Sequence, residues 1–307
     1  GHLAELLVAH GDLVSGCSRS GRWPEPLNHL ADRIRLERCD LSKPTVLESL
    51  FGHGPIDVVL HLAGLANPRE WQNDPLEARR QNVEATRNLY DAIRLSGRHP
   101  RVLFVSTSYV YGNASPEHLP IQTTCPLRTD HPYAATKWEA EQLSIRYVEE
   151  FGLNITRVRP FNHIGPRQPA GYIVSDWAQQ IAAIEAGKAP PRLHVGNLDT
   201  RRDYTDVRDV VRAYRMLACE PKAQGVYNLG AGISRSGREI LELLRCLSRV
   251  DWQFEIDTAT TRGAEAAEIV ADAAPLRALV GWKPEIALET TLRDTLDYWR
   301  HLQGGTS

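Results

Sequence analysis

The stretch Arg101-Val-Leu-Phe-Val-Ser-Thr-Ser-Tyr-Val-Tyr-Gly112, followed by His131-Pro-Tyr-Ala-Ala-Thr-Lys-Trp-Glu-Ala-Glu141, decides the reading of this chain. Residues 102–105 form an unbroken apolar run rich in valine, which suits a parallel strand buried on both faces. The run gives way to Ser106, Thr107 and Ser108, so hydroxyls emerge at the carboxyl end of the strand. From Pro132 onward the composition favours helix, which puts Tyr133 and Lys137, four positions apart, side by side on one face. A lysine cation close to a phenol favours the phenolate and lowers its pKa. Such a tyrosine exchanges a proton at neutral pH, and a hydroxyl from Thr107 would hold the same substrate oxygen. This is the arrangement needed when a carbonyl becomes an alcohol by hydride transfer. Tyr-x-x-x-Lys alone is common by chance; its place after Ser-Thr-Ser-x-x-Tyr-Gly gives it weight.

Working outward towards the amino terminus, residues 1–10 read as an amphipathic helix with Leu3, Leu6 and Leu7 on one face. Residues 12–17 give a strand, followed by Ser18-Arg19-Ser20. A dinucleotide fold places an acid here for a ribose 2′-hydroxyl or an arginine for a 2′-phosphate, so Ser18 and Arg19 favour NADP(H), with NAD(H) the other option. Residues 34–41 and 57–63 supply two more strands, the second closed by His61-Leu-Ala-Gly64. There His61 reads as a structural histidine, and Ala63 and Gly64 permit close approach by a dinucleotide. A long helix covers residues 74–96.

Towards the carboxyl terminus, residues 154–159 form a strand, and residues 162–171, rich in glycine, proline and polar side chains, read as a loop. Ligands sit beyond the carboxyl ends of strands in open α/β sheets, which makes Asn162 and Arg167 candidates for contact with a ligand. Residues 172–186 are helical. Residues 190–199 carry Arg192, and Arg201, Arg202 and Arg208 then surround Asp203 and Asp209, guanidinium forks that suit a diphosphate. Residues 225–232 give a last strand and turn, 237–247 a helix, 251–256 an extended piece and 289–301 a closing helix.

The chain has 307 residues, 42% hydrophobic and 24% charged, with a formal charge of −2. That balance suits a globular protein and excludes a general nucleic-acid or membrane surface, so any phosphate recognition must be local. Cys17, Cys39, Cys125, Cys219 and Cys246 are odd in number and have no Cys-x-x-Cys spacing, which argues against a disulfide framework and a metal site. No apolar run has membrane-spanning length and no signal-peptide pattern opens the chain, so a cytoplasmic location is expected.

Together these motifs resemble the catalytic core of the extended short-chain dehydrogenase/reductases, in their nucleotide-sugar-modifying branch. Arg159-Pro-Phe-Asn-His-Ile-Gly-Pro166, Val195-Gly-Asn-Leu198, Arg202-Asp-Tyr-Thr-Asp-Val-Arg-Asp209 and Gly281-Trp-Lys-Pro284 are similar to the GDP-6-deoxy-4-keto-mannose reductases, relatives of GDP-mannose 4,6-dehydratase. The resemblance implies a Rossmann-type doubly wound parallel α/β sheet with a smaller carboxy-terminal substrate lobe. The dinucleotide-binding part would comprise residues 1–160 and 205–230, and the nucleotide-sugar lobe residues 161–204 and 231–307. It implies Thr107, Tyr133 and Lys137 as the catalytic set. Gly1 matches the last glycine of the family's Gly-x-x-Gly-x-x-Gly turn, so the first strand is expected to lie outside the given sequence. Asp40 and Leu41 would meet the adenine, and Leu62, Ala63 and Gly64 would lie beside the cofactor. Asn82 matches an asparagine that braces the strand turns. For the substrate, Ser108, Asn162 and Arg167 would meet the sugar and phosphate, Val195 and Asn197 the base, and Arg202 the diphosphate. Arg262 would join Arg202, although Arg262-Gly-Ala-Glu265 lacks the relatives' proline after the arginine.

The resemblance also implies a homodimer pairing residues 74–96 and 132–151 of two copies, and a GDP-linked sugar as substrate. The related dehydratases carry a glutamate base two positions after the threonine, where this chain has Tyr109, so reduction of a 4-keto sugar is favoured. An epimerase with bound NAD and a catalytically idle nucleotide-sugar binder remain as alternatives.

Overall fold

A computed structural model describes residues 1–43, 51, 54–66, 74–129, 131–256 and 266–304. The strand β4 (Arg101–Val105) lies in the interior of a parallel ladder, between β3 (Val58–His61) and β5 (Ile155–Pro160), with β9 (Gly225–Leu229) beyond β5. Its side chains alternate between two cores. Val102 and Phe104 join a cluster with Leu89, Tyr90 and Ile93 of α3 (Ala85–Leu95) and Ala140, Leu143 and Tyr147 of α4 (Pro132–Phe151). Leu103 points the other way, into a cluster built on α6 (Val207–Cys219), α8 (Ala274–Val280) and Trp282. Burial on both faces explains why this strand reads as a continuous apolar run. Pro132 at the start of α4 and the left-handed Gly152 after it place its ends where the sequence predicts them.

A second ladder pairs β1 (Ser15–Ser18) with β2 (Arg35–Arg38) in parallel. Among the described residues no ladder hydrogen bond joins it to the first, so β1 and β3 each have a side without a strand neighbour. The helix α1 (His2–Ala9) spans the two: Leu3 and Leu6 pack against the α6 core, while Ala4 and Val8 pack against Leu27, Leu30 and Ile34.

The carboxy-terminal part has its own core. Val174, Trp177 and Ile181 of α5 (Ile173–Glu185) meet Ile240, Leu241 and Leu244 of α7 (Gly237–Leu247) and Leu292 and Leu296 of α9 (Leu288–Gly304). Small pairings support it: β7 (Arg192–Val195) with β11 (Gln253–Ile256), and β8 (Arg201–Asp206) with β6 (Asn162–Ile164), β10 (Ser234–Ser236) and β12 (Glu268–Ile269).

Three local expectations are corrected. Residues 162–171, read as a loop, begin with β6, because β8 offers its backbone groups parallel partners. Residues 225–229 are not the last strand, since β10, β11 and β12 follow. The helix expected at 74–96 is one run interrupted by a π turn, Arg80–Glu84, between α2 (Pro75–Arg79) and α3. In α6, Val207, Val210, Val211, Tyr214 and Leu217 recur at helical spacing and pack into the core, a helix beyond those expected from sequence.

Candidate active site

At the carboxyl end of β4 the chain turns sharply. Thr107 is extended (φ −159°, ψ 150°), and its hydroxyl accepts the Tyr109 N–H at 3.3 Å, starting a short 3₁₀ turn over Ser108–Tyr111. Against this turn lies the face of α4 that carries Tyr133, Lys137 and Glu141 at four-residue intervals. The Thr107 side chain lies close enough to the Tyr133 phenol to favour its ionised form. The Lys137 ammonium donates to the Val105 carbonyl at 2.6 Å and lies 4.8 Å from the centre of the Phe104 ring. The structure thus brings the three catalytic candidates together.

Their electrostatics differ from the sequence expectation in one respect. Burial raises the Tyr133 pKa, and the Thr107 side chain only partly offsets it. The Lys137 ammonium is directed to the Val105 carbonyl and does not offset the effect of burial on the phenol. Burial brings the Lys137 pKa down to about 8, against the pull of the Glu141 carboxylate one turn away. Tyr133 is therefore a neutral phenol at physiological pH, the form that donates a proton.

The π turn sits behind this face. Asn82, buried in it, accepts the Leu65 N–H at 2.8 Å and donates to the Thr136 hydroxyl at 2.9 Å, tying the segment after β3 to α4 between Tyr133 and Lys137. π turns recur at functional sites because the extra residue re-aims a side chain. Gly64, at φ +152°, packs so close that a Cβ would lie 2.5 Å from the Asn82 Oδ1, so no larger residue fits there unshifted. Leu62, Ala63 and Gly64 are exposed at this strand end. His61, buried beneath them, meets the Thr86 hydroxyl at 2.8 Å, and its pKa falls to about 3 through burial and the Lys137 charge, so it stays neutral.

Gly1 precedes α1, and at the carboxyl ends of β1 and β2 a cavity of about 410 Å³ is lined by Arg19, Arg38, Asp40 and Lys43. Ser18 accepts the Gly21 N–H at 3.0 Å, closing the turn that carries Arg19. Gly21 is left-handed (φ +63°), and a Cβ there would come within 2.8–2.9 Å of Arg38, so this turn and Arg38 press together. Asp40 accepts from the Ser42 backbone and hydroxyl at 3.0 and 2.7 Å. Leu41 packs on the β4 core, and its carbonyl accepts from Asn88. Arg38 and Lys43 were not singled out from sequence; the signal is that Arg38 is the register partner of Ser18 across β1 and β2.

The substrate candidates do not form one cluster. Ser108 is buried in the turn after β4, and Asn162 is half-buried in β6. Arg167, left-handed at φ +68°, pairs instead with α1, donating to Glu5 at 2.8 Å and meeting His2 at 2.8 Å. Val195 is buried in the lobe core, so its side chain does not present a surface to a base. Asn197 caps a turn by accepting the Asp199 N–H. Arg202 donates to the Ala266 carbonyl at 2.9 Å, and Arg262 lies outside the described residues.

The arginines that flank Arg202 in sequence are largely structural. Arg208 is held by Asp206 and Asp294, each at 2.7 Å, and Arg201 by Glu239 at 2.8 Å. The aspartates act as clamps: Asp203 accepts the N–H groups of Ala231, Gly232 and Ala271, and Asp209 those of Glu285 and Ile286.

A parallel sheet with Thr107, Tyr133 and Lys137 at the carboxyl end of β4 and an arginine-lined cavity beyond β1 and β2 defines an extended short-chain dehydrogenase/reductase, a class of NAD(P)-dependent enzymes. Within it the chain belongs to the GDP-mannose 4,6 dehydratase family, whose model matches residues 1–295. It is 36% identical to the GDP-6-deoxy-D-mannose reductase of Pseudomonas aeruginosa over 262 residues, covering 85% of this chain and 86% of that protein. The solved structure of RMD from Pseudomonas aeruginosa complexed with NADPH superposes with a TM-score of 0.84 at 33% identity, covering 94% of this chain and 99% of that one. The Thermus thermophilus UDP-glucose 4-epimerase complex with NAD gives a TM-score of 0.85 at 25% identity, covering 100% and 96%.

Proposed function

We propose that this protein reduces the 4-keto group of a GDP-linked 6-deoxyhexulose with NADPH, giving a GDP-6-deoxyhexose of the rhamnose type. The observation that carries the reading is Thr107 at the end of β4 facing the α4 turn that bears Tyr133 and Lys137, with Ser108 and Tyr109 where a dehydratase would need a carboxylate base. The likeness to the Pseudomonas aeruginosa reductase supports the same chemistry.

The residues present fit a dinucleotide. Gly64 leaves room that a Cβ would fill, Lys137 offers a buried ammonium beside Tyr133, and Arg19, Arg38 and Lys43 set three cations around one cavity. Gly1, Leu62, Ala63, Asp40, Leu41 and Asn82 complete the binding set. Arg19 with its two neighbours suits a 2′-phosphate, which favours NADP(H). Bound NADPH supplies the hydride. Thr107 holds the substrate carbonyl oxygen, Tyr133 Oη gives its proton to that oxygen as the alcohol forms, and solvent returns the proton to the phenol. Lys137 supports the transient phenolate electrostatically. Ser108, Asn162 and Arg202 would contact the sugar and its diphosphate, with Arg167 reaching in from the α1 side.

The domain division expected from sequence, 1–160 with 205–230 against 161–204 with 231–307, draws support from the separate core of α5, α7 and α9, but α8 and Trp282 pack into the sheet core with Leu103 and α6. A homodimer through α3 and α4 is supported by the outward apolar residues Leu95, Val148 and Phe151. A cytoplasmic setting is supported by cysteines without a pairing pattern, and no helix among the described residues is long and apolar enough to cross a membrane. The test is purified protein with NADPH and the GDP-4-keto-6-deoxy sugar, with the product identified by NMR. Return of a sugar inverted at one carbon without net NADPH consumption would establish an epimerase instead.

A further inference from the structure

Behind the catalytic face lies a buried polar network that the reduction itself does not use. Glu141, 1% exposed, follows Lys137 by one turn of α4 and is gripped by Arg159 of β5, with Arg159 Nη2 to Glu141 Oε1 at 2.6 Å and Nε to Oε2 at 3.1 Å. The same carboxylate accepts the Ser106 hydroxyl at 2.7 Å. Arg159 also donates to the Tyr111 hydroxyl at 2.8 Å, and that hydroxyl donates to Asn228 of β9 at 2.7 Å.

The position of Ser106 gives this network its role. It lies between Val105, whose carbonyl receives the Lys137 ammonium, and Thr107, whose side chain lies close to Tyr133. Fixing the Ser106 side chain therefore fixes the backbone from which both contacts spring. A buried ion pair adds little to stability over an apolar replacement, and its best use is to specify one geometry. The groups facing Lys137 are Tyr133 and Glu141 on its own helix and His61 from β3, with Arg159 and Arg157 of β5 behind Glu141. His61 stays neutral, and both arginines interact with Glu141. Glu141 is thus the one anion acting on the lysine among the described residues.

We propose that Glu141, held by Arg159, is a positioning residue that sets the Ser106 turn and supplies the anion one helical turn from Lys137. The proposal rests on the reductase reading for its kinetic arm, but not for its titration arm. The experiment follows the Lys137 side chain by lysine NMR across pH in the protein without cofactor, then measures NADPH-dependent turnover, for wild type, Glu141→Gln and Ser106→Ala. Loss of the carboxylate should lower the Lys137 titration midpoint from about 8 by about 1–3 pH units. Ser106→Ala keeps the ion pair, so it should leave that midpoint in place and lower kcat about tenfold, as for one hydrogen bond, with KM for NADPH unchanged. If Glu141→Gln does not fold, the proposal stands or falls on Ser106→Ala: wild-type kcat in that variant overturns it. An unmoved Lys137 midpoint in folded Glu141→Gln also overturns it. A wild-type protein that does not consume NADPH would refute the reductase reading alone and leave the titration arm intact.

Discussion

Replacing Tyr133 by phenylalanine isolates the proton donor. The ring is retained in its buried place, so the packing beside Tyr109, whose ring centre lies 6.1 Å away at 74°, persists. What disappears is the hydroxyl close to Thr107 and the proton that the developing alkoxide would take. Burial holds the phenol protonated, so the wild type enters each turnover loaded, and the variant must take the proton from water. Loss of a general acid lowers turnover by about 10²–10⁴-fold, or about 2.7–5.4 kcal/mol of barrier. Binding of the keto sugar still has the Thr107 hydroxyl, so KM should change little and the defect should lie in kcat. The assay is NADPH absorbance against GDP-4-keto-6-deoxy sugar under saturating conditions, with fluorescence titration for cofactor affinity. The sign of the pH dependence is a further check. An acid whose folded pKa is raised keeps its proton to higher pH, so wild-type kcat should hold through neutrality and decline only on the alkaline side. Turnover of Tyr133→Phe within threefold of wild type would refute the assignment, as would a wild-type rate that climbs as the phenol ionises.

Lys137→Ala should weaken NADPH binding and lower kcat together; a fall in kcat with wild-type affinity would remove its cofactor role. Arg19→Ala and Arg38→Ala should each weaken NADPH by roughly tenfold or more, the loss of a charge-assisted hydrogen bond, and leave NADH unaffected. Equal losses for both cofactors would show that the cavity does not hold a 2′-phosphate. Arg167→Gly should unfold at a higher temperature than Arg167→Ala, because both lose the Glu5 pair but only glycine adopts φ +68° without cost; the reverse order in thermal unfolding would contradict the left-handed backbone. Light scattering should give twice the mass of one chain at micromolar concentration, and a monomer would refute the α3 and α4 interface.

Periodicity and spacing are local properties, and what depended on them was legible in the sequence. The apolar run before Ser106 marked β4, and Pro132 marked the start of α4. The four-residue interval then put Tyr133 and Lys137 on one face whatever the rest of the chain did. Other features arise only when distant segments meet. Arg38 joins Arg19 because β2 pairs with β1, and Glu141 finds Arg159 because α4 crosses β5. Arg201 and Arg208, indistinguishable in sequence from diphosphate ligands, are taken up by Glu239, Asp206 and Asp294 from other elements. Arg167 turns to Glu5 and His2, residues more than 160 positions away. The protonation of Tyr133 belongs with these: sequence supplied the neighbouring lysine, but only the packed structure aims its ammonium at the Val105 carbonyl and removes solvent from the phenol, which raises its pKa.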